Sequence, residues 1–113
     1  MVQQIKLMAD YQSYPLWWAG PHAPGNIDPR ILPLKPETVL LLKKWAGIFD
    51  SWMDLRDPAS SAEPTHEQVT AFEEEGVRLW KQLRAELSPG YEVFYKSIKL
   101  ARVLKNPDEL KKT

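Results

Sequence analysis

The sequence of 113 residues contains no cysteine. It therefore has no disulfide, no thiolate nucleophile and no cysteine-based zinc site. It also lacks any apolar run close to the roughly 20 residues that a membrane helix requires. The N-terminus has neither the basic start nor the apolar stretch of a signal peptide. These absences favour a complete cytoplasmic protein with no membrane segment.

An excess of charge of one sign is missing as well, because 15 lysines and arginines balance 15 aspartates and glutamates. A protein that binds nucleic acid by neutralising phosphates carries a clear basic excess, so we expect no nucleic-acid partner. The distribution is uneven, since residues 62–90 are acidic and residues 91–113 are basic. A solvated helix followed by a frayed end explains this pattern.

Alternating apolar residues at both ends of the chain indicate strands. Ile5 and Leu7 alternate with polar neighbours near the N-terminus, and YEVFYKSI at 91–98 carries aromatic residues on both faces. Two strands alone form a marginal sheet. A third strand is therefore expected from 17–18, from 98–104 or from a second copy of the chain.

Two helices are predicted between these strands. The first begins near Pro36, a favoured residue in a first helical turn. The second begins with THEQ, a capping box in which Thr65 and Gln68 satisfy each other's free amides. Its apolar seam includes Gly76, which suggests a close approach of the first helix, and we place the charged Glu73 on its outer side.

Together these patterns predict a small α+β protein. Residues 1–98 are expected to form a single domain of order β-α-α-β, with two central helices packed on a short antiparallel sheet. Residues 99–113 are expected to form a basic C-terminal tail, as a short helix or a frayed end.

Residues that carry chemistry are scarce. His22 lies in a Pro/Gly loop and His66 in a first helical turn, and no His–Glu pair has the spacing of a zinc motif. We therefore predict no catalytic residue, no metal and no cofactor. A small carboxylate-based enzyme that uses Asp10 and Asp54, with or without a metal, is one alternative.

The adjacent Trp17 and Trp18 are the most informative pair. Neighbours in an extended chain point in opposite directions, so one ring is expected to anchor the chain to the core while the other meets a partner. Burial of both rings, one on each side of the sheet, is the alternative. The predicted partner-binding residues combine these aromatics with nearby acids: Tyr14, Trp17, Trp18, Asp28, Asp50, Asp54 and Asp57.

The pieces DY, YPLW, GNIDP, DPASS and PGYEV lie between roughly Lys6 and Tyr95. They resemble a group of small bacterial proteins, some of which are similar to the immunity proteins that neutralise polymorphic or contact-dependent toxins. The chain departs from that pattern at Lys35, where a serine-type helix cap is expected, and in its longer basic tail. The resemblance implies a protein that covers a toxin domain with a charged, often acidic, face and aromatic anchors.

The predicted function is therefore non-catalytic binding of a protein partner, most concretely a bacterial toxin domain, by a monomer or homodimer. A homo-oligomeric structural or regulatory protein is the second alternative. Light scattering separates the two, because a monomer across micromolar concentrations disfavours an obligate oligomer.

Overall fold

Two helices pack on one face of a mixed sheet in the computed structural model. The structure describes residues 2–20, 25–52 and 63–112. The strands and helices are, in chain order, β1 (Gln3–Leu7), β2 (Leu16–Trp18), β3 (Asn26–Ile27), α1 (Pro36–Ser51), α2 (His66–Leu87), β4 (Tyr91–Ser97) and β5 (Arg102–Leu104). Two 3₁₀ turns, Pro29–Ile31 and Pro107–Lys112, complete the described elements.

The strand order is β3-β2-β1-β4-β5. The predicted α+β class and the strand-helix-helix-strand order are confirmed. The prediction of an antiparallel sheet is wrong at its centre, where β1 and β4 pair in parallel while the other neighbours are antiparallel. A crossover through two helices returns the chain in its starting direction, which is the connection that a parallel pair requires.

The sheet continues beyond residue 98, where the sequence predicts a basic tail. Leu104 is fully buried and pairs with Tyr95, so β5 forms one edge of the sheet. The following 3₁₀ turn is held by Glu109, whose carboxylate accepts the main-chain N–H groups of Lys105 at 2.6 Å and Asn106 at 3.0 Å.

The predicted helix starts are present. Thr65 caps α2, and the reciprocal hydrogen bonds of the capping box with Gln68 are both formed. Lys35 occupies the cap position of α1 without a side-chain capping bond. Its main-chain N–H donates to Glu86 Oε1 at 2.8 Å, the bond that the third helical residue accepts in a capping box, so a carboxylate from α2 holds the start of α1.

Glu86 is the centre of a polar network between the helices. Its other oxygen accepts from the hydroxyl of the buried Thr38 and, at 3.0 Å, from Gln82 Nε2. Burial alone would raise the pKa of Glu86, but the hydrogen bonds from Thr38, the Lys35 amide and Gln82 together lower this pKa below its ordinary value of 4.5.

Acid should therefore weaken the contact between α1 and α2. Because the folded pKa of Glu86 is lowered, its contribution is present above pH 4.5 and is lost as the pH falls through the folded pKa. We expect Glu86→Gln to have a lower free energy of unfolding than the wild type at neutral pH. This gap between the two proteins should become smaller as the pH is lowered. Urea denaturation across a pH series measures the gap, and a gap independent of pH would contradict the assignment.

Gly76 allows the core aromatics to reach the backbone of α2. A Cβ atom at this position would lie 2.5 Å from Tyr95 Oη and 2.9 Å from Trp45 Cζ2. Trp45 belongs to α1, so a side chain of the first helix comes close at Gly76, together with Tyr95 from β4. Trp45 is fully buried, stacks on Phe72 with ring centroids 4.4 Å apart, and donates its indole N–H to Phe72 O.

Glu73 differs from its predicted place on the outer side of α2, because it is buried. Its carboxylate accepts from Tyr95 Oη at 2.7 Å, from Ser97 Oγ at 2.5 Å and from the Ile98 main-chain N–H at 3.2 Å. Burial, together with the nearby carboxylate, raises the pKa of Tyr95 well above its usual value, so this hydroxyl stays protonated as a donor. The carboxylate fixes α2 to the end of β4.

Candidate partner-binding surface

The structure brings together Tyr14, Asp28 and Asp50 from the predicted set. They line an open groove of about 730 Å³ between the turn that follows β1, the turn that follows β3, and α1. Asp54 and Asp57 lie outside the described residues. The groove also contains Arg30 and Lys43, so its charge is mixed.

Asp28 is already paired within the chain. Its carboxylate caps the 3₁₀ turn by accepting the Arg30 main-chain N–H at 3.0 Å, and it forms an ion pair with Arg30 Nη2 at 2.6 Å. Hydrogen bonds from Arg30 lower the pKa of Asp28 to about 2. The negative charge is permanent at neutral pH, but its counter-charge is adjacent.

Asp50 also has a structural partner. Its Oδ1 accepts the main-chain N–H of Gln12 at 3.0 Å. Gln12 has a φ of 54°, a left-handed conformation that a residue other than glycine rarely adopts. The carboxylate at the end of α1 thus secures the turn after β1, which accounts for an acid at an unfavourable end of the helix dipole.

Trp18 and Trp17 lie on opposite faces of the sheet. Trp18 is opposite Ile5 in the register and packs against the core, with its ring in contact with Gly25. Trp17 is opposite Lys6 on the face that the helices leave uncovered, and its indole N–H donates to Met8 O at 3.1 Å. Both rings are half-buried.

The uncovered face has an unusual composition. Lys6 stands between Trp17 and Phe94 in the register, and Lys96 stands opposite Val103. We call this surface the open sheet face and define it by seven residues: Lys6, Met8, Trp17, Phe94, Lys96, Val103 and Lys105. All of these except Lys96 line a shallow depression of about 510 Å³, which Trp18 and Ala19 also border.

Of the seven residues of the open sheet face, the partner-binding residues predicted from the sequence include Trp17 alone. The available signal was the alternation in β4, where Phe94 falls between the buried Val93 and Tyr95 and must point away from the core. The side chains that surround Phe94 depend on which strands lie beside β4. The order of the strands in the sheet could not be predicted from one sequence.

The described ranges contain neither a cluster of candidate metal ligands nor a helix that could cross a membrane. No group of three histidine, aspartate or glutamate side chains in residues 2–20, 25–52 and 63–112 converges to hold a metal ion. His66 is exposed in the first turn of α2, and His22 lies outside the described residues. No helix in this part of the chain is both long and apolar enough to cross a membrane.

Comparison with known proteins identifies the family. The family model described as Serratia CdiI immunity protein-like matches residues 3–98, which include both helices and the strands β1 to β4. No curated protein matches the chain. The resemblance to immunity proteins of contact-dependent toxin systems is confirmed by this match. The chain therefore belongs to the Serratia CdiI immunity protein-like family.

Proposed function

We propose that this chain is a non-catalytic cytoplasmic inhibitor that binds a bacterial toxin domain through the open sheet face. Membership of an immunity protein-like family supports the partner class. The observation that carries the choice of surface is the position of Trp17, which shares with Phe94 a sheet face that neither helix covers.

Four apolar side chains occupy this face: Met8, Trp17, Phe94 and Val103. A sheet covered on one side normally presents polar residues to water on the other. Large aromatic side chains near the centre of a surface provide most of the binding energy in protein interfaces. The composition is therefore better suited to a contact than to solvent.

The open sheet face is also rigid. The residues on β1, β2 and β4 are fixed by main-chain pairing, and the Trp17 ring is held by its bond to Met8 O. A surface that needs little ordering on binding loses less conformational entropy, so more of the contact energy appears as affinity.

The groove with Tyr14, Asp28 and Asp50 is the competing location for the toxin. Its two acids, Asp50 and Asp28, already form a hydrogen bond and an ion pair with groups of their own chain. The exposed ring of Tyr14 is then the main group that the groove offers to a partner. We assign this groove a structural role, and we keep it as the surface against which the proposal is tested.

Trp17→Ala is expected to weaken binding of the toxin domain by at least about 2 kcal/mol, or roughly 30-fold in Kd. The partner for the measurement is a toxin domain; a large exported protein encoded beside this chain's gene would supply one as its C-terminal domain. Calorimetry gives the affinity, and growth of cells that produce both proteins reports protection. The matched control is Ile48→Ala, which removes an exposed apolar side chain from α1.

The variant Tyr14→Ala tests the competing groove in the same assays. Loss of affinity in Tyr14→Ala with none in Trp17→Ala would place the contact in the groove and contradict the proposal. A stable homodimer in light scattering that Trp17→Ala dissociates would favour the homo-oligomeric alternative and likewise contradict the proposal.

A further inference from the structure

We infer that the toxin surface that meets the open sheet face is acidic, with carboxylates placed around an apolar patch. This inference rests on the proposed function and specifies the chemistry of the partner. It comes from the charges that surround the apolar side chains of this face.

The charges of this face are mostly positive. Lys6, Lys96 and Lys105 belong to it, and Glu92 is the one carboxylate that β4 adds on the same side. Glu92 Oε1 accepts from Gln4 Nε2 at 2.9 Å, so this acid is engaged at the start of β1. Three lysines against one glutamate leave a net charge of +2 on the face, although the whole chain is neutral.

The register interleaves these lysines with the apolar side chains. Lys6 lies between Trp17 on one side and Phe94 on the other, and Lys96 lies opposite Val103. A lysine stem packs along apolar surface while its ammonium group stays at the rim. A partner that covers the aromatics must therefore also meet these ammonium groups.

Lys6 and Lys96 form no ion pair within the described residues, whereas Lys105 lies near enough to Glu109 for their charges to attract. The ion pairs there join Asp28 to Arg30, Glu75 to Arg78 and Glu109 to Arg102. Lys96 Nζ instead donates to the carbonyl of Ala101 at 3.3 Å. Positive groups that are unpaired in the free protein would be buried at a cost unless the partner supplies carboxylates.

Charge complementarity favours an acidic protein over a nucleic acid. Binding to phosphates requires a clear basic excess, whereas this chain has 15 basic and 15 acidic residues and presents Glu92 on the same face. Opposite charge on two protein surfaces chiefly accelerates their association and excludes wrong partners. An immunity protein that must capture its toxin quickly benefits from that effect.

The test replaces Lys6 and Lys105 with glutamate in the full chain. We expect the association rate with the toxin domain to fall at least about tenfold at low salt, and the difference from the wild type to shrink at high salt. Surface plasmon resonance measures the rate. The control, Lys44→Glu with Lys81→Glu, makes the same change in net charge at exposed positions on α1 and α2.

Each outcome has a separate meaning. Normal wild-type binding with equal rates in the two double variants would overturn this inference and leave the proposed function intact. Failure of the wild type to bind or protect would overturn the proposed function itself. Binding of a single-stranded oligouridylate that Lys6→Glu abolishes would make the face a nucleic-acid site and overturn the inference. Thermal unfolding checks that each variant is folded. If the double variant of Lys6 and Lys105 does not fold, the single variant Lys105→Glu, at an exposed position, is compared with the wild type instead.

Discussion

Glu73→Ala is expected to lower the free energy of unfolding by about 3–5 kcal/mol. The substitution removes the acceptor for the Tyr95 hydroxyl, the Ser97 hydroxyl and the Ile98 main-chain N–H. Tyr95 and Ser97 are fully buried, so water cannot easily replace the carboxylate. Loss of a buried acceptor costs the desolvation of every donor left behind, which is more than the net value of the bonds.

Two control variants separate this network from a general effect of charge. Glu73→Gln keeps an oxygen acceptor and the shape of the side chain, so we expect roughly half the loss. Glu74→Ala removes the adjacent exposed carboxylate and is expected to change stability by no more than about 0.5 kcal/mol. Urea denaturation gives all three values, and similar small losses in Glu73→Ala and Glu74→Ala would contradict the network.

Gly76→Ala is expected to destabilise the fold by about 1–3 kcal/mol, although alanine is the better helix former by about 1 kcal/mol. The new methyl group would lie 2.5 Å from Tyr95 Oη and 2.9 Å from Trp45 Cζ2. Neither ring has room to retreat. Tyr95 is tied to Glu73 by its hydroxyl, and Trp45 is held by its stacking on Phe72.

Gly47→Ala is the matched control for this substitution. Gly47 also lies within a helix, but it is exposed and a Cβ atom there would meet nothing within 4 Å. We expect a gain in stability of about 0.5–1 kcal/mol, because only helix propensity changes. Thermal and urea unfolding of the two variants should therefore give opposite signs, and equal signs would contradict close packing at Gly76.

Local patterns in the sequence were reliable where the interaction itself is local. The capping box at Thr65 uses residues three apart, and the glycine on the seam of α2 follows from helical spacing alone. The α+β class followed from two spacings of apolar residues, the alternation that is typical of strands and the interval of three to four residues that is typical of helices. The parallel pairing of β1 and β4 did not, because the direction of a strand depends on the path of the intervening chain.

Glu73 shows how composition can mislead. It stands three residues before Gly76 and seven before Trp80, a spacing that places it on the buried seam of α2. Its charge favoured the outer side, and that prediction was wrong. The donors that make its burial tolerable, Tyr95 and Ser97, lie more than twenty residues away on another element.

The predicted site illustrates the same limit. Tyr14, Asp28 and Asp50 do lie together. However, Asp50 accepts a hydrogen bond from the main chain of the distant Gln12, and Asp28 forms an ion pair with Arg30. Trp17 lies instead among lysines on the other side of the sheet. Adjacency in sequence could suggest that one indole faces outward, whereas the neighbours of that indole depend on strand register.

The central claim is that the open sheet face contacts a toxin domain, and NMR mapping on the unmodified chain tests it most directly. ¹⁵N-labelled protein is titrated with the unlabelled toxin domain. We predict that the largest shift changes occur at Lys6, the Trp17 indole, Phe94 and Val103, with Tyr14 little affected. Changes centred on Tyr14 and α1, with the Trp17 indole signal unmoved, would contradict this account.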